Sequence, residues 1–223
     1  MRRLYLVRHG ETEANRLKII QGQNKQRPNY GDYLNANGEK QAVLLGKALA
    51  DVNFQFVCVS PARRAFDTAN TVLFHNKHAW RRMPPAEKGL IFEVKKGLLE
   101  LNQGTFEGMN TENVKTKHPE LYDLYKTKPS QFTFPEGESM IEAKERVGRT
   151  IDRIFWEQPS AENILVVSHG GTIALAFIHI FGLDMDRMYY AIRHDNCAFS
   201  VIEWLSPGAS SRIECMNNTS HLK

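Results

Sequence analysis

The chain has 223 residues, 42% of them hydrophobic and 24% charged, a composition that excludes a fibrous, disordered or membrane-embedded protein. Its length is enough to bury a proper core, at roughly 70–75% of the unfolded surface. The net charge is only +4, and the 29 Lys and Arg are spread along the chain, so no basic arm marks a nucleic-acid binder, and a small anionic partner explains the modest excess equally well.

Leu4 to Val7 is a short apolar run, as in a strand buried on both faces of a parallel sheet. It stops at Arg8-His9-Gly10 and runs towards a helix start at Glu11-Thr12-Glu13. His9 therefore stands at the carboxyl end of a strand, where open α/β sheets place their ligands. A guanidinium beside an imidazole there, followed by helical N–H groups, makes an anion site with a nucleophile in it. Arg193-His194 is an internal control: Asp195 rather than Gly follows it, and it reads as a structural or rim feature.

Residues 24–33, with Pro28 and Gly31, read as loop. A helix then opens at Asn35 as N-cap, with Ala42, Leu45, Leu49 and Val52 on its core face. Phe54 to Val59 is a second strand. It leads through Ser60-Pro61 into a helix whose first turn holds Arg63 and Arg64. The helix dipole disfavours cations there, and a bound anion would offset that cost. His75 and His78 lie three apart near the end of this helix without a third ligand nearby, so they read as helix-end residues rather than a metal pair. Residues 81–88 form a basic loop containing Pro.

Residues 90–101 run through an expected strand to Glu100. Residues 109–134 are polar and Lys-rich, with a short helix from Pro119 to Lys126; Lys115, Lys117, Lys126 and Lys128 form its solvated face. A helix from Ser139 to about Trp156 buries Ile141, Val147, Ile151, Ile154 and Phe155. Residues 163–172 then repeat the opening architecture: an apolar strand ends in His169-Gly170, and an apolar helix follows to Ile180. Gly170 and Gly171 leave N–H groups open to an anion. His179 reads as a satisfied core histidine. Cys197 to Trp204 is expected to be the last strand, and residues 206–223 a partly disordered tail. There is no internal repeat or linker, so residues 1–205 form a single domain.

Cys58, Cys197 and Cys215 have neither metal-ligand spacing nor a pairing framework, which suggests a reducing compartment. No apolar run approaches the ~18 residues of a membrane span, and Leu4 to Val7 is too short for a signal peptide. The expectation is a cytoplasmic protein that does not act on membranes.

Several of these phrases are motifs. Arg8-His9-Gly10-Glu11 with Asn15 resembles the signature of the histidine phosphatase superfamily, which includes the cofactor-dependent phosphoglycerate mutases and many phosphomonoesterases. Gln21-Gly22 resembles its second short motif, which lies over the phosphate. Residues 60–69 match Ser-Pro-x-x-Arg-Ala-x-x-Thr-Ala, and residues 100–108 match Glu-x-x-x-Gly-x-x-Glu-Gly. His169-Gly170 matches the second histidine. The resemblance covers about residues 1–205. It implies a three-layer α/β sandwich, phosphoglycerate mutase-like, with a mostly parallel central sheet and helices on both faces. It also implies a cap over the pocket from residues 109–134.

In a parallel sheet the strand ends meet at one edge, which brings Arg8, His9, Arg64, Glu100 and His169 together. Phosphoryl-transfer chemistry then suggests roles. His9 attacks phosphorus and becomes phosphohistidine, as a neutral imidazole of ordinary pKa about 6.5 can. Arg8 and Arg64 grip the phosphate oxygens. His169, protonated in the complex, and the neutral donors Asn15 and Gly170 N–H assist. By the resemblance, Glu100 is the proton donor to the leaving alkoxide, Gln21 and Gly22 are phosphate-binding, Arg64 is the phosphate arginine, and Glu107 holds its loop together. No metal or other cofactor is expected. The mutases carry Glu-Arg-His-Tyr-Gly where this chain has Glu100-Leu101-Asn102-Gln103-Gly104, so a phosphatase acting on a small phosphorylated metabolite is favoured over a mutase. A catalytically dead binding module is a distant alternative, because no core site residue is missing. The chain is expected to be a monomer or homodimer.

Overall fold

The computed structural model describes residues 2–23, 32–79, 92–205 and 211–223. The basic loop at 81–88 and most of the 24–33 loop lie outside them. The strands are β1 (Arg3–Arg8), β2 (Phe56–Val59), β3 (Glu93–Val94), β4 (Asn163–Ser168), β5 (Phe199–Glu203) and β6 (Arg212–Asn218). They form one sheet in the order β3-β2-β4-β1-β5-β6. The β3–β2, β2–β4 and β4–β1 pairs are parallel, and β5 and β6 add antiparallel pairs at one side.

The helices are α1 (Glu13–Arg16), α2 (Ala36–Ala48), α3 (Arg63–His75), α4 (Thr111–Lys117), α5 (Pro119–Thr127), α6 (Met140–Glu157), α7 (Gly170–Phe181) and α8 (Met185–Met188). Side chains alternate across the strands, so the sheet has two apolar faces. Leu4, Leu6, Ile164 and Val166 pack with Ala143, Val147 and Ile151 of α6 and Ile173 and Phe177 of α7. Tyr5, Val7, Leu165 and Val167 pack with Ala42 and Leu45 of α2 and Ala65, Ala69 and Val72 of α3. This is the expected three-layer α/β architecture.

Several local expectations are corrected. Residues 212–218 are not a disordered tail but β6, paired with β5. Their short Arg-Ile-Glu-Cys-Met run is too polar to announce a strand, and only the free edge of β5 makes it one. The strand near residue 90 shrinks to Glu93–Val94 before a 3₁₀ turn at Lys96–Leu98. The 109–134 region holds two helices, α4 and α5, because Asn110 caps the first and Pro119 opens the second. Ile141 is exposed on α6. Cys197 precedes β5 in the left-handed region, at φ 53°.

Candidate active site

The parallel strands β1, β2 and β4 bring three of the motifs to one edge of the sheet, and the turn after β3 brings the fourth. His9 follows β1 and is only 3% exposed. Its Nδ1 lies 2.7 Å from the carbonyl oxygen of Gly10. A carbonyl only accepts, so Nδ1 carries the proton and Nε2 keeps a lone pair. Arg64 Nε donates to that Nε2 at 3.2 Å. Burial above all, then the charges of Arg64 and Arg8, hold His9 well below the ordinary imidazole pKa. The site therefore contains a neutral imidazole whose unprotonated nitrogen lies among guanidinium groups.

Arg64 is the second residue of α3, and its side chain is buried. Its Nη2 donates to Gly22 O at 2.9 Å, and its Nη1 pairs with Asp32. Asp32 also accepts from Arg63 N at 2.6 Å, capping a helix whose N-cap, Ala62, supplies no side-chain bond. A carboxylate thus sits where a cation and a helix end favour an anion. Arg63 itself reaches Asp67 and is largely exposed.

Arg8 donates from Nη1 to His194 O at 2.7 Å, and burial lowers its pKa. A Cβ added to Gly170 would sit 3.5 Å from Arg8 Nε. His169 is fully buried, and its ring centroid is 5.1 Å from that of His9. Its Nε2 is 2.7 Å from Ser60 Oγ. Burial, then Arg64, holds it well below the ordinary imidazole value, so it is neutral in this site, whereas the sequence reading has it protonated when phosphate is bound.

Glu100 departs from expectation in its setting. Its carboxylate accepts from Gly171 N at 3.2 Å, Thr172 N at 3.1 Å and the Thr172 hydroxyl at 3.2 Å. The N-terminal amides of α7 therefore hold Glu100, and the Gly171 N–H is not open as the sequence suggested. A Cβ on Gly171 would lie 2.5 Å from Leu101 Cδ1 and 2.7 Å from Glu100 Oε1, so a larger residue there would push on Glu100. Gln21 and Asn15 are joined to the same edge. Gln21 Oε1 accepts from the Thr12 hydroxyl at 2.9 Å and from Asn15 Nδ2 at 3.4 Å. Gly22 has φ 51°, and a Cβ there would lie 2.2 Å from Glu107 Oε1. Glu107 accepts from Gln23 N at 2.9 Å and Gln103 N at 3.1 Å, tying the two loops together.

Arg8 Nε, Gln21 Nε2 and His169 Nδ1 are buried and have no partner among the described residues. These atoms belong to three different motifs of one site, and a buried polar atom without a partner is costly. An oxyanion would satisfy the Arg8 and Gln21 donors. Among the described residues no cluster of three His, Cys, Asp or Glu side chains could hold a metal ion, and no helix is long and apolar enough to cross a membrane.

Three groups escaped the sequence reading. Asp32 had no signal at all. Ser60 enters the motif only as the turn into α3, not as a partner of His169. Asn196 lies just before the expected last strand and belongs to no site motif, yet its Nδ2 donates to His9 O at 3.1 Å and to Asn15 Oδ1 at 3.0 Å. His179 is satisfied by Asp152 at 2.9 Å, at the half-buried surface rather than in the core.

The chain is 27% identical to phosphoserine phosphatase 1 of Hydrogenobacter thermophilus over 206 residues, covering 91% of this chain and 86% of that protein. It is 27% identical to the probable phosphoglycerate mutase GpmB of Erwinia tasmaniensis over 228 residues, covering 100% and 96%. The crystal structure of the alpha-ribazole phosphatase from Shigella flexneri superposes with a TM-score of 0.76 at 28% identity, covering 97% of this chain and 96% of that one. The sequence profile of the histidine phosphatase superfamily (branch 1) matches residues 4–219. The chain belongs to the histidine phosphatase superfamily.

Proposed function

We propose that this chain hydrolyses phosphate monoesters through a phosphohistidine formed on His9. The observation that carries this reading is the His9 imidazole: Nδ1 is committed to Gly10 O, and Nε2 faces Arg64. Nε2 attacks phosphorus, the P–N bond forms, and the P–O bond to the leaving alkoxide breaks. Arg64, Arg8, Gln21 and Asn15 stabilise the phosphoryl oxygens, satisfying the unpartnered Arg8 Nε and Gln21 Nε2. Arg64 exchanges Asp32 for the phosphate. A dianion next to His169 favours its protonation, which turns Nδ1 into a further donor. Glu100 delivers a proton to the alkoxide, then accepts one from water as water attacks phosphorus and frees His9.

Hydrolysis is supported by the relatives named as phosphatases and by the Leu101-Asn102-Gln103 sequence after Glu100, which lacks the mutases' Arg, His and Tyr. The buried donors Arg8 Nε and Gln21 Nε2 suit a single phosphoryl group, and the substrate is read as a small phosphorylated metabolite. The test is phosphate release from a panel of phosphomonoesters with EDTA present. Isomerisation of 3-phosphoglycerate is assayed alongside, with 2,3-bisphosphoglycerate as primer. Steady release without isomerisation supports the phosphatase; rapid isomerisation with little free phosphate replaces it with a mutase.

A further inference from the structure

The turn before β5 holds the phosphate-gripping residues from behind. Its His194 O accepts from Arg8 Nη1. Cys197 N donates to Arg8 O at 3.1 Å and His9 O at 3.2 Å. Asn196 Nδ2 bridges His9 O and Asn15 Oδ1. Residues 194–197 therefore touch Arg8, His9 and Asn15.

This turn is in turn held by β6. Asn217 Oδ1 accepts from Asp195 N at 2.7 Å, and its Nδ2 donates to Asp195 Oδ2 at 2.9 Å. Asn217 N donates to Ser200 Oγ at 2.9 Å. Its φ is 49°, in the left-handed region, and it lies at the end of β6 where the β5–β6 register shifts between Phe199 and Val201. Such a shift is common at a sheet edge; what singles this one out is that it turns the Asn217 side chain onto Asp195. Bulges of this kind re-aim side chains, often beside active sites.

We propose that Asn217 is a positioning residue of the active site. Through Asp195 and Asn196 it fixes the backbone of Arg8 and His9 and the side chain of Asn15, and so aims the nucleophile. The proposal rests on the reading of Arg8 and His9 given above; Asn217 itself touches no reacting atom.

The test is a double-mutant cycle in the full chain, with kcat and KM for p-nitrophenyl phosphate and the inhibition constant of inorganic phosphate. Glycine tolerates the left-handed φ, so Asn217→Gly removes the clamp and leaves the backbone. It is expected to lower kcat/KM between about ten- and a hundredfold and to weaken inhibition by phosphate, per folded molecule measured by circular dichroism. Asn196→Ala should lose at least as much, and the double variant should match Asn196→Ala, because one residue acts through the other. Wild-type rates per folded molecule in Asn217→Gly, whether or not its Tm falls, would overturn the proposal; so would losses that multiply in the double variant. An active His9→Ala enzyme would instead overturn the reading of His9.

Discussion

At the end of β1 the chain reads Val7-Arg8-His9-Gly10, and at the end of β4 it reads Val167-Ser168-His169-Gly170. Both histidines are buried against Arg64, and both are held below the ordinary imidazole pKa. Their second contacts differ. His9 spends Nδ1 on a backbone carbonyl, which fixes its tautomer and leaves the lone pair on Nε2. His169 spends Nε2 on a serine hydroxyl, which can donate or accept, and leaves Nδ1 without a partner. The helices also differ: α1 has four residues and is capped by Thr12, whereas α7 has twelve and gives its first amides to Glu100. In the proposed mechanism, similar strand ends thus supply the nucleophile in one place and, in the other, an adaptable polar group beside the proton donor. The neighbour of each imidazole, not the His-Gly phrase, decides which.

The largest effect expected from this contrast is on the nucleophile. His9→Ala should lower kcat by on the order of 10⁴-fold or more, and His169→Ala by about 10² to 10³-fold; single-turnover rates with p-nitrophenyl phosphate decide. Equal losses would erase the distinction. Glu100→Gln keeps the amide contacts in part but cannot deliver a proton. Its loss should be about 10² to 10⁴-fold for alkyl phosphates and far smaller for p-nitrophenyl phosphate, whose leaving group needs no proton. A loss independent of the leaving group would remove Glu100 from that role.

The pH profile sharpens the comparison next. His9 acts only when neutral, and its pKa is lowered, so the acid limb of kcat/KM should lie below pH 6.5. Burial is the larger cause and Arg64 the second, so Arg64→Gln should move that limb to higher pH, towards the ordinary value, while also lowering the rate. A limb that stays in place would dissociate Arg64 from His9. The smallest effect belongs to Ser60→Ala. It frees His169 Nε2 and should cost only about tenfold or less in kcat, at the scale of one neutral hydrogen bond, with His9 unaffected in its acid limb.

The two Arg-His pairs show where sequence reading reaches its limit. Arg8-His9 was legible because Gly10, Glu11 and Asn15 stand around it at fixed spacing. Arg193-His194, read as a structural or rim feature, meets the site through a backbone oxygen on Arg8, and any residue type carries that oxygen. Asp32 met Arg64 from a loop with no pattern. β6 was read as tail because polar residues fill a strand whose outer face is exposed, so the hydrophobic signal is weak. Glu100 was placed at the site by its motif, whereas its hold by the Gly171 and Thr172 amides depends on two segments some seventy residues apart.

The amino-acid sequence by itself determined the layered α/β plan, because apolar runs of strand length alternate with amphipathic helices. It also determined which side chains end those strands, since the parallel arrangement carries each end to one edge. Only the tertiary structure decided the state of each group. The neutrality of His9 and His169 comes from burial between distant strands beside Arg64. The tautomer of His9 comes from one carbonyl, and the grip of residues 194–197 and 217 comes from an edge strand added last. Spacing along a chain specifies residue types, but burial and hydrogen-bond partners are fixed only when remote segments meet.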